Sequence, residues 1–296
     1  MDVILQFLVD AASLGSFYAM LALGLALLFG VMGIMNFAYG ELVMIGAFAL
    51  WALQGQHWLL SIIGVVAATA LASLAQDRIA FRPVRTADMT TMLVTAFALS
   101  IFLQNVVQMT IGVRPRGVRP PEILSGGVFV VGGVRISTFD VFTIVLIGAL
   151  LVGLALLLTR THLGLQLRAA SHDFEMARML GIRADTVIGA AFVITGVLAG
   201  FAAIVYTGRI GSATATMGLT PLLIAFVGTV LGGMRNLVGA AVGGFILGAL
   251  ISAMQVLLPE GLRPYRLAFV FLLVIVILLF RPQGLIVSKR SKARVV

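Results

Sequence analysis

Long apolar stretches joined by short polar connectors dominate this sequence, and a bilayer is the solvent they require. A helix that crosses the hydrocarbon core needs about 20 apolar residues. Nine stretches approach that length: 5–31, 38–54, 59–76, 90–111, 139–158, 187–207, 216–233, 237–258 and 265–280. Only 10% of the residues are charged, against 61% hydrophobic, whereas a soluble domain carries roughly 25% charged residues. Too little polar surface remains to coat a globule in water. The expected fold is an all-α polytopic membrane protein with about 8–9 transmembrane helices, and residues 1–296 read as a single transmembrane domain. The stretch at 38–54 is interrupted at its start by Asn36, Gly40 and Glu41, so a broken or re-entrant segment is expected near 33–42.

The formal net charge of +9 has two readings, nucleic-acid binding and cationic loops that obey the positive-inside rule. No basic run is interleaved with exposed aromatics, so no nucleic-acid partner is expected, and the cations are assigned to loops beside lipid. Placing the carboxyl terminus inside puts 13 Lys and Arg on the inner segments and 7 on the outer ones. With nine spans the amino terminus then lies outside, where it carries Asp2 and no nearby cation. No basic run precedes the first apolar stretch, so that stretch is expected to remain as a span. The cationic tail, 288–294, fits next to anionic headgroups.

Several chemistries are excluded on inventory. The chain has no cysteine, which removes disulfides, thiol catalysis and thiolate metal sites. Its three histidines, His57, His162 and His172, do not pair at metal-ligand spacing, so no metal site is expected. No Ser/His or paired-Asp set falls at bilayer depth, which argues against an intramembrane enzyme.

The largest outer connector is 111–139. Pro115, Pro120 and Pro121 stiffen its first half. Two β-branched runs then flank Gly132-Gly133, a turn pair that tolerates positive φ at both positions, and a small external β-hairpin is predicted near 127–137. It serves either as a connector or as a docking surface for an external protein.

Ionisable groups at bilayer depth are costly, so each is a functional candidate. Glu41 is the main one. Gly30, Gly33 and Gly40 weaken the helix around it, Asn36 is suited to capping a helix start, and Glu41 then falls in a first turn where the helix dipole favours a carboxylate. Such a break is tolerated only against protein or a water-filled cavity. Asn36, Tyr39 and Glu41 are therefore candidates for a substrate pathway, the alternative being an interfacial kink. A second polar set, Thr91, Thr95 and Gln104 or Asn105, shares one span. Helix–helix hydrogen bonding is its bland explanation, and Thr95 and Asn105 are added to the pathway candidates. The glycine-dense stretch 228–248 fits close helix packing. It also faintly echoes 30–40, and paired glycine-interrupted segments mark central sites in transporter folds.

The inner connector 159–186 is the least membrane-like stretch on its face. Its core, 171–183, reads as a short helix. Ser171 or Asp173 caps its start, Glu175 sits early and Arg178 late, as the dipole favours, and Gly181 takes the left-handed position after the last turn. Met176, Met179 and Leu180 form an apolar strip at i, i+3, i+4. The helix either lies on the bilayer or offers a knob to a soluble partner.

Glu175-Met176-Ala177-x-x-x-Gly181 resembles the Glu-Ala-Ala-x-x-x-Gly motif of bacterial ABC importer permeases. Asn36-Phe-Ala-Tyr-Gly-Glu41, Arg82-Pro-Val-Arg85, Leu103-Gln-Asn105, Leu231-Gly-Gly233 and Phe280-Arg-Pro-Gln-Gly-Leu285 are spaced as in the H-type permease subunit of branched-chain amino acid importers. The resemblance covers nearly the whole chain; Tyr39 stands where the family carries His, and Met176 where the general motif carries Ala. It implies a translocation subunit of the bacterial inner membrane that needs no cofactor of its own. ATP would be bound and hydrolysed by two cytoplasmic partner subunits, with a homologous second permease alongside and an external solute-binding protein delivering substrate. The absence of a Gly-x-x-x-x-Gly-Lys-[Ser/Thr] loop from this sequence agrees with that division. Asp173, Glu175, Met176, Ala177, Met179, Leu180 and Gly181 become the expected ATPase-coupling residues. Substrates of relatives include amino acids, amides, urea and aromatic acids, so the cargo stays open at this point. The competing reading is an ion-coupled secondary carrier or channel, for which Glu41 is the sole intramembrane carboxylate of note.

Overall fold

The computed structural model describes residues 2–33, 36–85, 87–119, 127–131, 134–172, 174–234, 236–282 and 284–286. In chain order its helices are α1 (Asp2–Met32), α2 (Tyr39–Ala52), α3 (Trp58–Ala75), α4 (Met89–Thr110), α5 (Thr138–Arg160), α6 (His162–His172), α7 (Phe174–Met179), α8 (Ala184–Ile210), α9 (Leu219–Gly232), α10 (Leu237–Leu257) and α11 (Arg266–Phe280). Four short strands, β1 (Arg116–Gly117), β2 (Val128–Val131), β3 (Val134–Ser137) and β4 (Ser212–Ala213), form two antiparallel pairs, β1 with β4 and β2 with β3. Among the described residues seven helices are long and apolar enough to cross a membrane. The apolar helices α2 and α9 are shorter, at 14 residues each. At 1.5 Å per residue each is about 21 Å long, short of a hydrocarbon core of about 30 Å.

Each predicted span has a counterpart helix, and the predicted hairpin is present, with Val128 opposite Ser137 and Val131 opposite Val134. The candidate stretch at 216–233 is helical from Leu219 and is short. One expectation needs correction. The inner connector holds two helices rather than the single one expected over 171–183: α6 occupies its first half, and Ser171 lies inside α6, its hydroxyl donating to the Arg168 carbonyl at 2.8 Å. Ser171 therefore ends one helix instead of capping the next, and Asp173 lies outside the described residues.

The chain groups into two compact units, with α1, α5 and α9 contributing residues to both. The first comprises 1–26, 124–149 and 224–296. Its seams are lined by small residues, as lipid-embedded helices require where backbones approach closely. A Cβ on Gly244 would stand 2.5 Å from the Tyr18 carbonyl oxygen, and one on Gly228 would stand 2.8 Å from the Gly244 Cα. The glycines of 228–248 thus serve the α1–α10 and α9–α10 contacts. Asn236 caps α10, its side-chain oxygen accepting from the backbone N–H groups of Val238 and Gly239. The segment after α11 folds back on the end of α9, the Leu285 N–H donating to the Leu231 carbonyl at 2.8 Å. Two motifs that lie some fifty residues apart in the chain, one ending at Leu285 and one starting at Leu231, thereby meet.

The second unit comprises 27–123 and 150–223 and is built on α2, α3 and α8. Gly196 and Gly200 of α8 press on the backbone of α3 near Thr69–Ala70 and Val66. The Ser73 hydroxyl donates across the same seam to the Phe192 carbonyl at 2.6 Å. One end of this unit is marked by the β1–β4 pair, where Gln54 donates to the Gly117 carbonyl and the Arg116 guanidinium lies 5.1 Å over the Trp51 ring. The other end carries α6, α7 and the charged turn between α3 and α4.

Candidate functional site: a broken helix and a charged end

The break begins where α1 stops. Gly33 takes φ +72°, a conformation open to glycine. Asn36 lies just before α2, and its side-chain oxygen accepts the Ala38 N–H at 2.9 Å. This is a turn two residues before α2; the helix itself starts after Ala38 without a side-chain cap, so Asn36 shapes the approach to the helix rather than capping it. The residues from Ala38 to Val43 are buried, as a helix break at membrane depth demands. Gly40 is needed here for space. A Cβ at this position would lie 2.7 Å from the Gly218 carbonyl oxygen, and the reverse contact, from Gly218 to the Gly40 carbonyl, is tighter still. The starts of the two short helices therefore touch backbone to backbone. The partner of the first break is Gly218, not the 228–248 glycines that echo it in sequence.

Glu41 is fully buried. Its Oε1 accepts from the Ser100 hydroxyl at 2.8 Å and the Gln104 amide at 2.7 Å, donors one turn apart on α4. Its Oε2 has no partner among the described residues, and the same holds for Asn36 Nδ2, the Tyr39 hydroxyl and Gln76 Oε1. Unmet polar atoms in a low-dielectric interior are costly, so this concentration around one break marks it as more than filler.

Of the five pathway candidates, Asn36, Tyr39 and Glu41 lie together at the break. Thr95 and Asn105 do not reach it: the Thr95 hydroxyl donates to the Thr91 carbonyl and the Asn105 amide to the Ile101 carbonyl, each on its own helix. Ser100 and Gln104 take the contact instead. Their i, i+4 spacing is a readable sign, but nothing local distinguishes that face of α4 from the one carrying Thr95.

At the charged end, α7 has the termination that the sequence predicts. Gly181 adopts φ +85°, and the Ile182 N–H closes back on the Ala177 carbonyl at 3.1 Å, five residues earlier. Ala177 is buried beneath the turn, whereas Met176, Met179 and Leu180 are 55%, 81% and 77% exposed. Glu175 and Arg178 fall in α7, and their side chains lie outside the described residues. Four residues past Gly181, Asp185 opens α8 and accepts from Arg82 Nη2 at 3.1 Å and from Arg85 Nη1. Arg85 is shared: its Nη2 donates to Asp77 Oδ1 at 2.5 Å. In the sequence Arg82-Pro-Val-Arg85 stands out only as a motif, and nothing marks Asp77, whose role depends on a fold-back of the chain.

The family described as the permease component of branched-chain amino acid transport systems matches residues 7–279. The chain belongs to this family. It is 33% identical, over 95% of both chains, to the high-affinity branched-chain amino acid transport system permease protein BraD of Pseudomonas aeruginosa. It is 32% identical, again over 95% of both, to the corresponding protein LivH of Escherichia coli K12. A probable branched-chain amino acid transport permease of Methanocaldococcus jannaschii is 26% identical over 90% of this chain and 87% of its own. No solved structure matches. The protein is a multi-pass membrane permease subunit of an ABC-type importer.

Proposed function

We propose that this permease imports a branched-chain amino acid or a close relative, driven by ATP that partner subunits bind and hydrolyse. The observation that carries the reading is α7: an apolar turn held outward by left-handed Gly181 at the end of the second unit that also holds the Arg82–Arg85–Asp185 cluster. Exposed apolar side chains rimmed by charge mark a protein contact. On this reading Met176, Met179 and Leu180 seat in a cytoplasmic ATPase, Ala177 and Gly181 hold their shape, and Asp173 and Glu175 are assigned to the same coupling set. Two such ATPases, a second homologous permease and an external solute-binding protein complete the importer. The carboxyl terminus is then cytoplasmic and the amino terminus outside, in agreement with the cation count. The chain itself hydrolyses nothing and needs no cofactor.

The break at Asn36, Tyr39 and Glu41 is assigned to the substrate pathway, with Thr95 and Asn105 further along α4. Glu41 Oε2 suits an ammonium group, and Asn36 Nδ2 and the Tyr39 hydroxyl suit a carboxylate. Copurification of the tagged permease with P-loop ATPases tests the assembly. A thermal-shift screen of the cognate solute-binding protein against leucine, isoleucine, valine, urea, short amides and aromatic acids tests the cargo. Stabilisation by urea or an amide alone would overturn the amino-acid assignment, and uptake driven by an ion gradient without any ATPase would favour the secondary-carrier reading.

A further inference from the structure

We propose that Arg85 and Gln76 are positioning residues of the transport cycle, which carry displacement of α7 to the break that opens α2. The inference rests on the permease reading above and adds a route between its two sites. The route runs through polar contacts and short stretches of backbone inside the second unit. Asp185, four residues beyond Gly181, binds Arg85, and the other arm of the same guanidinium binds Asp77. Arg85 is 15% exposed and Asp77 4% exposed. Asp77 is covalently next to Gln76, whose amide donates at 3.1 Å to the carbonyl of Ala38, the residue immediately before α2. Two ion pairs, one peptide link and one hydrogen bond therefore join the first turn of α8 to the start of the broken helix.

Three features single this route out from ordinary packing. First, Gln76 and Asp77 begin a six-residue π-helical turn, Gln76–Phe81, that continues α3. Such turns are rare, carry wider hydrogen-bonded rings than the α-helix and cluster at functional sites. Here the turn keeps two adjacent polar side chains buried, one aimed at Arg85 and the other at Ala38. Second, the planar guanidinium fork holds two carboxylates from different elements at once, a geometry that a lysine ammonium does not reproduce. Third, the other side of the break is touched from the same connector. A Cβ on Gly30, in the last turns of α1, would meet the Cβ of Ser171 in α6 at 3.3 Å. Both flanks of residues 33–38 are thus in contact with parts that a moving α6–α7 connector displaces.

Reconstitution of the complete transporter in vesicles, with its two ATPases and its binding protein, tests the proposal through substrate taken up per ATP hydrolysed. Gln76→Leu is expected to leave ATPase copurification and ATP hydrolysis near the parent level and to lower uptake per ATP about tenfold, within the usual range of coupling between sites; Arg85→Lys is expected to lower uptake per ATP in the same direction. Asp185→Asn, at an exposed position, is expected to give a smaller loss in the same direction. If Arg85→Lys does not fold, Gln76→Leu carries the test, because it removes no charge. Uptake per ATP within about twofold of the parent in a folded Gln76→Leu protein overturns the route, given that site coupling spans roughly 5–150-fold. Failure of the unaltered permease to copurify with any ATPase overturns the importer reading instead.

Discussion

Truncation of Met179 to alanine should weaken the hold of the ATPase without unfolding the permease. The side chain is 81% exposed, so nearly all of its apolar surface is available to a partner and almost none supports the permease itself. Full burial of a methionine is worth about 1.5–3 kcal/mol. Scaling by the exposed share and leaving the β-carbon in place gives about 1–2 kcal/mol of lost contact, or roughly 5- to 30-fold in dissociation constant. Because the site is on the surface, permease stability should change by less than about 0.5 kcal/mol. The assay is titration of the purified ATPase onto permease in lipid nanodiscs, with a melting curve of the permease alone as control. Leu180→Ala should behave alike, and Ala177→Leu, which overfills a buried position, should instead lower the melting temperature. Unchanged affinity in Met179→Ala would refute the assignment of α7 as the seat of the ATPase and return the strip to lipid contact.

Other consequences are equally direct. Gly40→Ala sets a methyl 2.7 Å from the Gly218 carbonyl oxygen and should cost about 1–3 kcal/mol as overpacking, read as a lowered midpoint in denaturant. Asn236→Ala removes both cap bonds at the start of α10 and should cost about 1 kcal/mol with uptake per ATP unaltered. Hydrogen bonds from Thr91 and Thr90 hold the Asp88 carboxyl below its ordinary value. That cap is therefore complete above the pKa of the unfolded chain and is lost as pH falls through the lower folded value. Acid should speed amide exchange in the first turn of α4, and Asp88→Asn should abolish that acid sensitivity.

The spans, the hairpin and the end of α7 are legible in the sequence because each depends on local chemistry: apolar length, a Gly132-Gly133 pair, a glycine free to take positive φ. The α6 helix is not, because its residues, His162 to His172, mix charge and apolar groups without the length of a span. Without α6, Ser171 looks like a free cap at the start of a helix. The short start of α9 is also hidden, since residues 216–218 read on smoothly into a span, whereas Gly218 is packed against Gly40. In the site, Asn36, Tyr39 and Glu41 are readable as polar groups beside glycines at bilayer depth. Their partners are not. Ser100 rather than Thr95, and Gln104 rather than Asn105, face Glu41 because of how α4 is rotated against α2, and Asp77 meets Arg85 through a turn of the chain that no periodicity records.

On the importer reading, a stroke at α7, powered elsewhere, opens the path beside α2. Leucine uptake by vesicles that enclose ATP, with the binding protein outside, tests it most directly in the parent chain and in Gly181→Pro. Proline fixes φ near −65°, where Gly181 needs +85°. Uptake should require both ATP and binding protein in the parent, and should be lost in Gly181→Pro while the variant remains inserted in the membrane. Full uptake by Gly181→Pro, or uptake by the parent on an ion gradient with no ATP, would rule out a stroke at α7 as the driver of transport.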